Sequence, residues 1–177
     1  RSKNLAKTVE LESNFLFPLY KSGNFKRYNL LPFEKVIIFP YLDGVLIDWN
    51  EIESVAPLTA KYLLGCKSTL DAREKGRWKG NSWYCYSRTQ ALTLMTSSKI
   101  LTADLNPSAN YALDNEGVVC FTGGAAGGYG IIVSDWLLKY VLGLLNSKLL
   151  DWFLQKTSST FRGRWFSYEA RYITHIP

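Results

Sequence analysis

Apolar positions along this chain change period several times, and each change predicts an element. Residues 14–20 are apolar with Pro18 inside them, which predicts an edge or irregular strand, and Lys21-Ser22-Gly23-Asn24 has turn composition. Residues 35–41 (KVIIFPY) are β-branched and aromatic, Asp43-Gly44 follows, and Val45-Leu46-Ile47 resumes. That order predicts a hairpin closed by a type I′ turn. Asn50 or Ser54 suits a helix cap and Pro57 a first helical turn. Leu58, Tyr62, Leu63, Cys66 and Leu70 then share one helical face and predict a helix over 57–73, weakened slightly by Gly65.

Beyond a charged loop over 74–81 (EKGRWKGN), short strands are predicted at 83–87, 99–103 and 117–122, with turns at Asn106-Pro107 and Asn115-Glu116-Gly117. Residues 123–130 (GGAAGGYG) read as a flexible loop, and Ile131-Ile132-Val133 as a resumed strand. Ser134-Asp135 then caps the longest predicted helix, 135–156. Leu137, Leu138, Val141, Leu142, Leu144, Leu145, Leu149, Trp152 and Phe153 make that helix apolar nearly all round, which places it in a core. Strands, helix, strands, helix and tail describe a single α+β domain, mainly antiparallel sheet with two main helices, and not a βαβ repeat. Residues 1–12 are polar and read as a lead-in from an upstream domain, with residues 13–177 forming the domain itself. The chain starts without Met and shows no signal pattern, so it reads as a piece of something longer.

Composition narrows the class of partner. The chain has 177 residues, 47% of them hydrophobic, with 6 Trp, 11 Tyr and 9 Phe, enough for a packed core and for some rings at the surface. A net charge of +6 fits a polyanion or an acidic membrane surface. Lys139, Asn146, Lys148 and Asp151 interrupt the longest apolar run, so no membrane span is expected. Cys66, Cys85 and Cys120 are odd in number and form no CxxC pair, which suggests neither a zinc site nor a disulfide framework and fits a reducing cytoplasm.

Catalytic chemistry is not expected from these residues. The one histidine, His175, sits beside Ile176-Pro177 and reads as structural. Asp48 with Glu51 or Glu53 lacks the Glu-x-Lys that a metal-dependent nuclease places after a strand, so no metal site is expected. The Gly-rich loop is followed by a strand where a dinucleotide fingerprint needs a helix, and no Gly-Lys-Ser/Thr makes it a P-loop. Basic clusters interleaved with rings carry more. Lys21, Lys26 and Arg27 lie beside Phe25 and Tyr28; Arg73, Lys75, Arg77 and Lys79 surround Trp78; Lys156, Arg162, Arg164 and Arg171 alternate with Phe161, Trp165, Phe166 and Tyr168. Such clusters join cations for phosphates with flat rings, and Arg also reads guanine edges through two parallel hydrogen bonds.

Four segments resemble the TaqI-like C-terminal specificity domain, the target-recognition domain of adenine-specific DNA methyltransferases and fused restriction-modification enzymes. Leu19-Tyr20-Lys21-Ser22-Gly23-Asn24-Phe25-Lys26-Arg27-Tyr28 resembles the family's L-L-R-G-R-D-I-K-R-Y, with the family's Gly, Arg and Asp replaced by Ser22, Gly23 and Asn24. Trp83-Tyr84 with Arg88 precedes Lys99-Ile100-Leu101. Tyr111-Ala112-Leu113-Asp114 with Gly117 resembles F-A-L-D-x-x-G, and residues 142–154 carry Leu144-Leu145-Asn146-Ser147-Lys148 before the Ile176-Pro177 end. The resemblance implies a sequence-specific recognition module for double-stranded DNA, non-catalytic by itself. It also implies an upstream methyltransferase domain of the same chain holding S-adenosylmethionine, and in some parents an endonuclease. The DNA contacts to expect are Arg73, Lys75, Arg77, Trp78 and Lys79 first, then Lys21, Lys26, Arg27, Arg162 and Arg164, with Arg88 also marked by the family pattern. Arg162 and Arg164 have a structural alternative, bonding the carbonyls that end the long helix. The other class of function is a protein–protein docking module that packs its aromatic-basic tail on a partner domain.

Overall fold

The α+β class and the mainly antiparallel pairing hold, but the apolar positions collect into separate cores rather than one. The computed structural model describes residues 1–124 and 127–176. The chain divides into two compact units, Arg1–Leu16 with Ile38–Thr93 and Phe17–Ile37 with Leu94–Pro177.

The first unit is largely helical: α1 (Trp49–Val55), α2 (Pro57–Gly65) and α3 (Lys67–Asp71), followed by the one-turn α4 (Leu92–Met95) where the chain leaves it. The residue that caps α1 is Asp48, not Asn50 or Ser54, and its carboxylate accepts the Asn50 N–H at 2.8 Å. Ala56 breaks the helix and Pro57 opens α2, whose free N–H groups are met from far away in sequence. The Glu12 carboxylate accepts from Leu58 N, Thr59 N and the Thr59 hydroxyl at 2.8–2.9 Å. The single helix predicted over 57–73 ends at Cys66, whose N–H is shared between the Tyr62 and Leu63 carbonyls in a tightened last turn after Gly65.

Phe15, Ile52, Ala56, Ala60, Leu63, Trp83 and Tyr84 form this unit's core. The predicted strand at 83–87 is a run of turns: its apolar residues are buried rings, with Trp49 5.0 and 5.2 Å from the rings of Trp83 and Tyr84. The Asp43-Gly44 turn is present, both residues left-handed (φ 48° and 79°), but it joins only Tyr41–Leu42 to Val45–Leu46. Residues Lys35–Ile38 belong to a different sheet.

In the second unit, Lys99–Ala103 lies between Gly128–Ile131 and Ala112–Asp114, antiparallel to both. Leu16–Tyr20 is the middle strand of its sheet, not an edge, with Lys35–Ile38 on one side and Cys120–Phe121, in parallel, on the other. The parallel ladder engages Leu19 and Tyr20, beyond Pro18. The Gly-rich stretch is not a loop throughout. Gly128 and Gly130 are inside a strand, and a side chain at Gly128 would stand 2.3 Å from the Thr102 carbonyl and 2.7 Å from the Phe25 ring. Ala125 and Ala126 of that stretch, and Pro177 of the expected Ile-Pro stop, lie outside the described residues.

The predicted helix 135–156 is a 3-10 turn (Asp135–Leu137), α5 (Leu138–Leu145) and α6 (Lys148–Thr157). The break is caused by two side chains: Asn146 turns away to Tyr111, and Ser147 caps α6 by accepting the Leu150 N–H. Ile100, Tyr111, Leu138, Leu142, Leu145, Leu154 and Tyr168 form the core here, with a second cluster around Tyr20, Phe25, Leu101 and Val119. A hairpin absent from the sequence reading, Thr160–Phe161 with Trp165–Ser167, adds to Leu105–Asn106, and α7 (Ala170–Ile173) follows.

Candidate nucleic-acid interface

In the first unit the basic-aromatic loop is anchored by one of its own cations. Arg73 donates through Nε to Leu70 O (2.9 Å), Nη1 to Cys85 O (2.8 Å) and Nη2 to Trp83 O (2.7 Å). Its planar fork is committed to the chain, so of the cations expected to touch DNA it is the loop's fastener. Beyond it Glu74, Lys75 and Gly76 are consecutively left-handed (φ 46°, 62° and 86°), which breaks regular helix there. Lys75, Arg77 and Lys79 are exposed; the Arg77 guanidinium lies 5.4 Å from the Trp78 ring centre and only 3.9 Å from Glu74, with 73% of its side chain in water. Trp78 is half-buried and its indole N–H has no partner among the described residues. Arg88 is exposed and likewise without a bond among the described residues.

In the second unit the 21–28 segment, a 3-10 turn (Ser22–Asn24) and the strand Phe25–Lys26 that pairs with Asn29–Leu30, is held from within. Asn24, which stands where the family has Asp, accepts the Lys21 N–H at 2.9 Å and donates to Pro32 O at 3.1 Å, while Phe25 is buried against Tyr20. Arg27 resembles Arg73 in role: Nη2 donates to Asn146 O at 2.7 Å and its backbone N–H to Asn110 Oδ1 at 3.2 Å. Tyr28 is left-handed (φ 62°), 53% exposed, and donates its N–H to Tyr111 O. Lys21 and Lys26 are left exposed, and Lys21 lines an open hollow of about 610 Å3 together with Phe33, Glu34 and Lys35.

The tail presents the barest cations. Arg162 and Arg164 flank Gly163 at the tip of the 160–167 hairpin, all three exposed, and neither guanidinium has a hydrogen bond or ion pair among the described residues. The alternative that they bond the carbonyls ending the long helix finds no such contact. Lys156 is also exposed, whereas Arg171 pairs with Glu169 at 2.8 Å.

Behind these surfaces lie polar groups that the sequence pattern does not reveal. Lys99 and Asp114 form an ion pair with 1% and 3% of their side chains exposed, and Asp114 also accepts the N–H groups of Val118 and Val119. Gly117, left-handed at φ 67°, closes that turn, and a side chain there would stand 2.3 Å from the Thr96 carbonyl. Burial pushes the Cys120 thiol up to about 12, helped by the Asp114 charge and opposed by Lys99, so it is no nucleophile near neutral pH. Burial, with the Glu169 charge beside it, raises the Asp104 carboxyl above the usual range, against the lowering effect of its bond from Tyr129. Burial raises the Tyr111 and Tyr168 phenols strongly as well. Among the described residues no three His, Cys, Asp or Glu side chains gather as a metal site would require, and no helix is long and apolar enough to cross a membrane.

The family profile of the TaqI-like C-terminal specificity domain matches residues 39–177. The chain belongs to this family. A relative, the type II restriction enzyme and methyltransferase RM.Eco57I of Escherichia coli, is 26% identical over 176 residues, a match covering 91% of this chain and 18% of that protein. The segments that resemble the specificity-domain pattern turn out to be tied to one another. Asn146 binds both backbone groups of Tyr111 and takes the Arg27 guanidinium on its carbonyl; Lys99 meets Asp114. The specificity-domain pattern in this chain is therefore largely a record of its scaffold, and the exposed cations lie on loops carried by that scaffold.

Proposed function

We propose that this chain is the sequence-specific DNA recognition module of a restriction-modification enzyme. The observation that carries the proposal is the set of exposed cations beside flat rings, Lys75, Arg77 and Lys79 around Trp78 and the unbonded Arg162 and Arg164 beside Trp165, in a chain of a specificity-domain family. Affinity comes from neutralised phosphates and specificity from a few side chains on base edges. Lys21, Lys26 and Arg88 are further phosphate contacts, while Arg73 and Arg27 position their loops. The parent carries an upstream domain that holds S-adenosylmethionine and methylates adenine, works in the cytoplasm, and in the pattern of RM.Eco57I also cuts DNA. This chain supplies recognition and no chemistry.

The test is duplex binding by the chain across salt concentrations. Recognition through phosphates makes log affinity fall linearly with log salt, by about 0.9 per phosphate neutralised, and replacing Lys75, Arg77 and Lys79 together by Ala flattens that slope by about two to three units. An unchanged slope and affinity in that variant removes the loop from the interface.

One observation favours docking on a protein as a second reading. Trp136 is 81%, Tyr140 65%, Leu149 70% and Trp152 58% exposed along the 135–157 helical segment, apolar area of the kind a partner domain covers. Binding through that face is insensitive to salt, which separates the two readings.

A further inference from the structure

The 160–167 hairpin combines a fixed base with a bare tip. Ser167 and Tyr168 have no exposed surface. The Tyr168 N–H donates to Asp104 O at 2.9 Å, its hydroxyl to Asp151 Oδ1 at 2.5 Å, and the outer edge of Trp165–Ser167 is bonded to Leu105–Asn106. At the other end Phe161 pairs with Trp165 across the ribbon, and these rings are 58% and 44% exposed. Gly163 and Arg164 between them are left-handed, at φ 76° and 61°. Glycine adopts that conformation freely, whereas a long side chain does so against a steric penalty. Gly or Asn is the preferred residue at such turn positions, and Arg164 occupies one of them.

We infer that this hairpin is the base-reading element of the module, entering the major groove with Arg164 as the guanidinium fork on base edges and the Phe161–Trp165 pair against apolar base surface. The inference rests on the DNA reading above and deepens it by separating one element that selects sequence from the loops that hold phosphate. A two-stranded ribbon fits a major groove about 12 Å wide, and an arginine fork matches the two acceptors of guanine, which a lysine ammonium meets only as a point charge. The rigid base supplies what readout requires, because a contact that discriminates bases has to be held in register.

The experiment selects duplexes from a randomised pool with the unsubstituted 177-residue chain, then compares its Kd for the selected duplex with that for random duplex. Arg164→Lys keeps the charge and loses the fork. Its affinity for random duplex and its salt slope stay as they were, and its preference for the selected duplex falls about tenfold or more. Arg164→Gly loses the preference as well, with a melting temperature equal to or above that of the unsubstituted chain, because glycine fits the backbone better than arginine does. Lys75→Ala, by contrast, weakens selected and random duplexes alike.

If Arg164→Lys and Arg164→Gly keep the original preference, the inference is wrong while the DNA reading stands. If preference is lost only in Arg164→Gly, together with a lowered melting temperature, Arg164 is structural and the inference is again wrong. Duplex binding with no sequence preference in the unsubstituted chain also overturns it. Failure of that chain to bind duplex at all overturns the DNA reading itself, and this inference with it.

Discussion

The Lys99 ammonium lies 2.6 Å from the Asp114 carboxylate, and both side chains are shut off from water. Lys99 spends its other donors on Met95 O and Ser97 O, and Asp114 its other lone pairs on Val118 N and Val119 N. A buried pair satisfied in this way is dispensable as a pair but not by halves. Asp114→Ala is expected to lower unfolding free energy by about 3–5 kcal/mol, leaving a buried cation and two N–H groups unmet. Lys99→Met is expected to cost less, because Asp114 keeps its two backbone donors. Urea unfolding of the two variants checks the order; equal stability of Asp114→Ala and the unsubstituted chain contradicts it.

Asn146 is the second polar centre. Its amide receives Tyr111 N–H at 3.1 Å and donates to Tyr111 O and Leu142 O at 2.9 and 3.1 Å, all in a site with 1% exposure. Asn146→Ala is expected to cost about 2–4 kcal/mol through unmet buried groups. Asn146→Asp should do no better, since a carboxylate there faces two carbonyls it has no hydrogen to give. Chemical denaturation distinguishes these from Asn146→Gln, which keeps the groups but displaces them.

Arg73 and Arg77 are four residues apart and are expected to behave oppositely. Arg73→Ala should destabilise the chain by about 2–3 kcal/mol, the loss of charge-assisted bonds to three carbonyls. Arg77→Ala should change stability by less than about 0.5 kcal/mol, its single long ion pair being exposed. Thermal melts check stability, and duplex titration checks that Arg77→Ala alone lowers DNA affinity in a folded protein.

Glu12 makes acid stability depend on one cap. Burial favours its neutral form, but the bonds from Leu58 N and from Thr59 outweigh that and hold the carboxyl at about 2, below its ordinary 4.5. A carboxyl depressed in the folded state contributes stability that is full above pH 4.5 and is lost as pH falls through about 2. Glu12→Gln is therefore expected to be less stable than the unsubstituted chain at pH 7, with the difference shrinking below pH 4.5 and gone near pH 2. Melting temperature against pH for both proteins tests it; parallel curves across that window contradict it.

Elements that depend on neighbours in sequence were legible, and those that depend on distant partners were not. The Asp43-Gly44 turn, the helix that Pro57 opens, and the strand Lys99–Ala103 all follow from local spacing and turn chemistry, although Leu58 of the expected apolar face is exposed and Thr59, Ala60 and Leu63 are the residues buried. The apolar run at 83–87 misled because it satisfies burial of rings, which strands and turns serve equally. The exposed cations of the 74–79 loop were visible as composition, but that Arg73 belongs to the scaffold depends on Trp83 and Cys85 O, which reach it only in the folded chain.

The sequence by itself determined that this is a mixed α+β protein with a positive charge and the ordered segments of a specificity domain. Only the tertiary structure decided where the helices break, which cations are committed and which are free, and that a hairpin carries Arg162 and Arg164. The physical reason is range. A helical period or a turn pair is set within a few residues, while Asn146 binds a Tyr111 that is 35 residues away. An apolar pattern extends a helix through that position, where the structure holds Asn146 on Tyr111 and starts a new helix capped by Ser147.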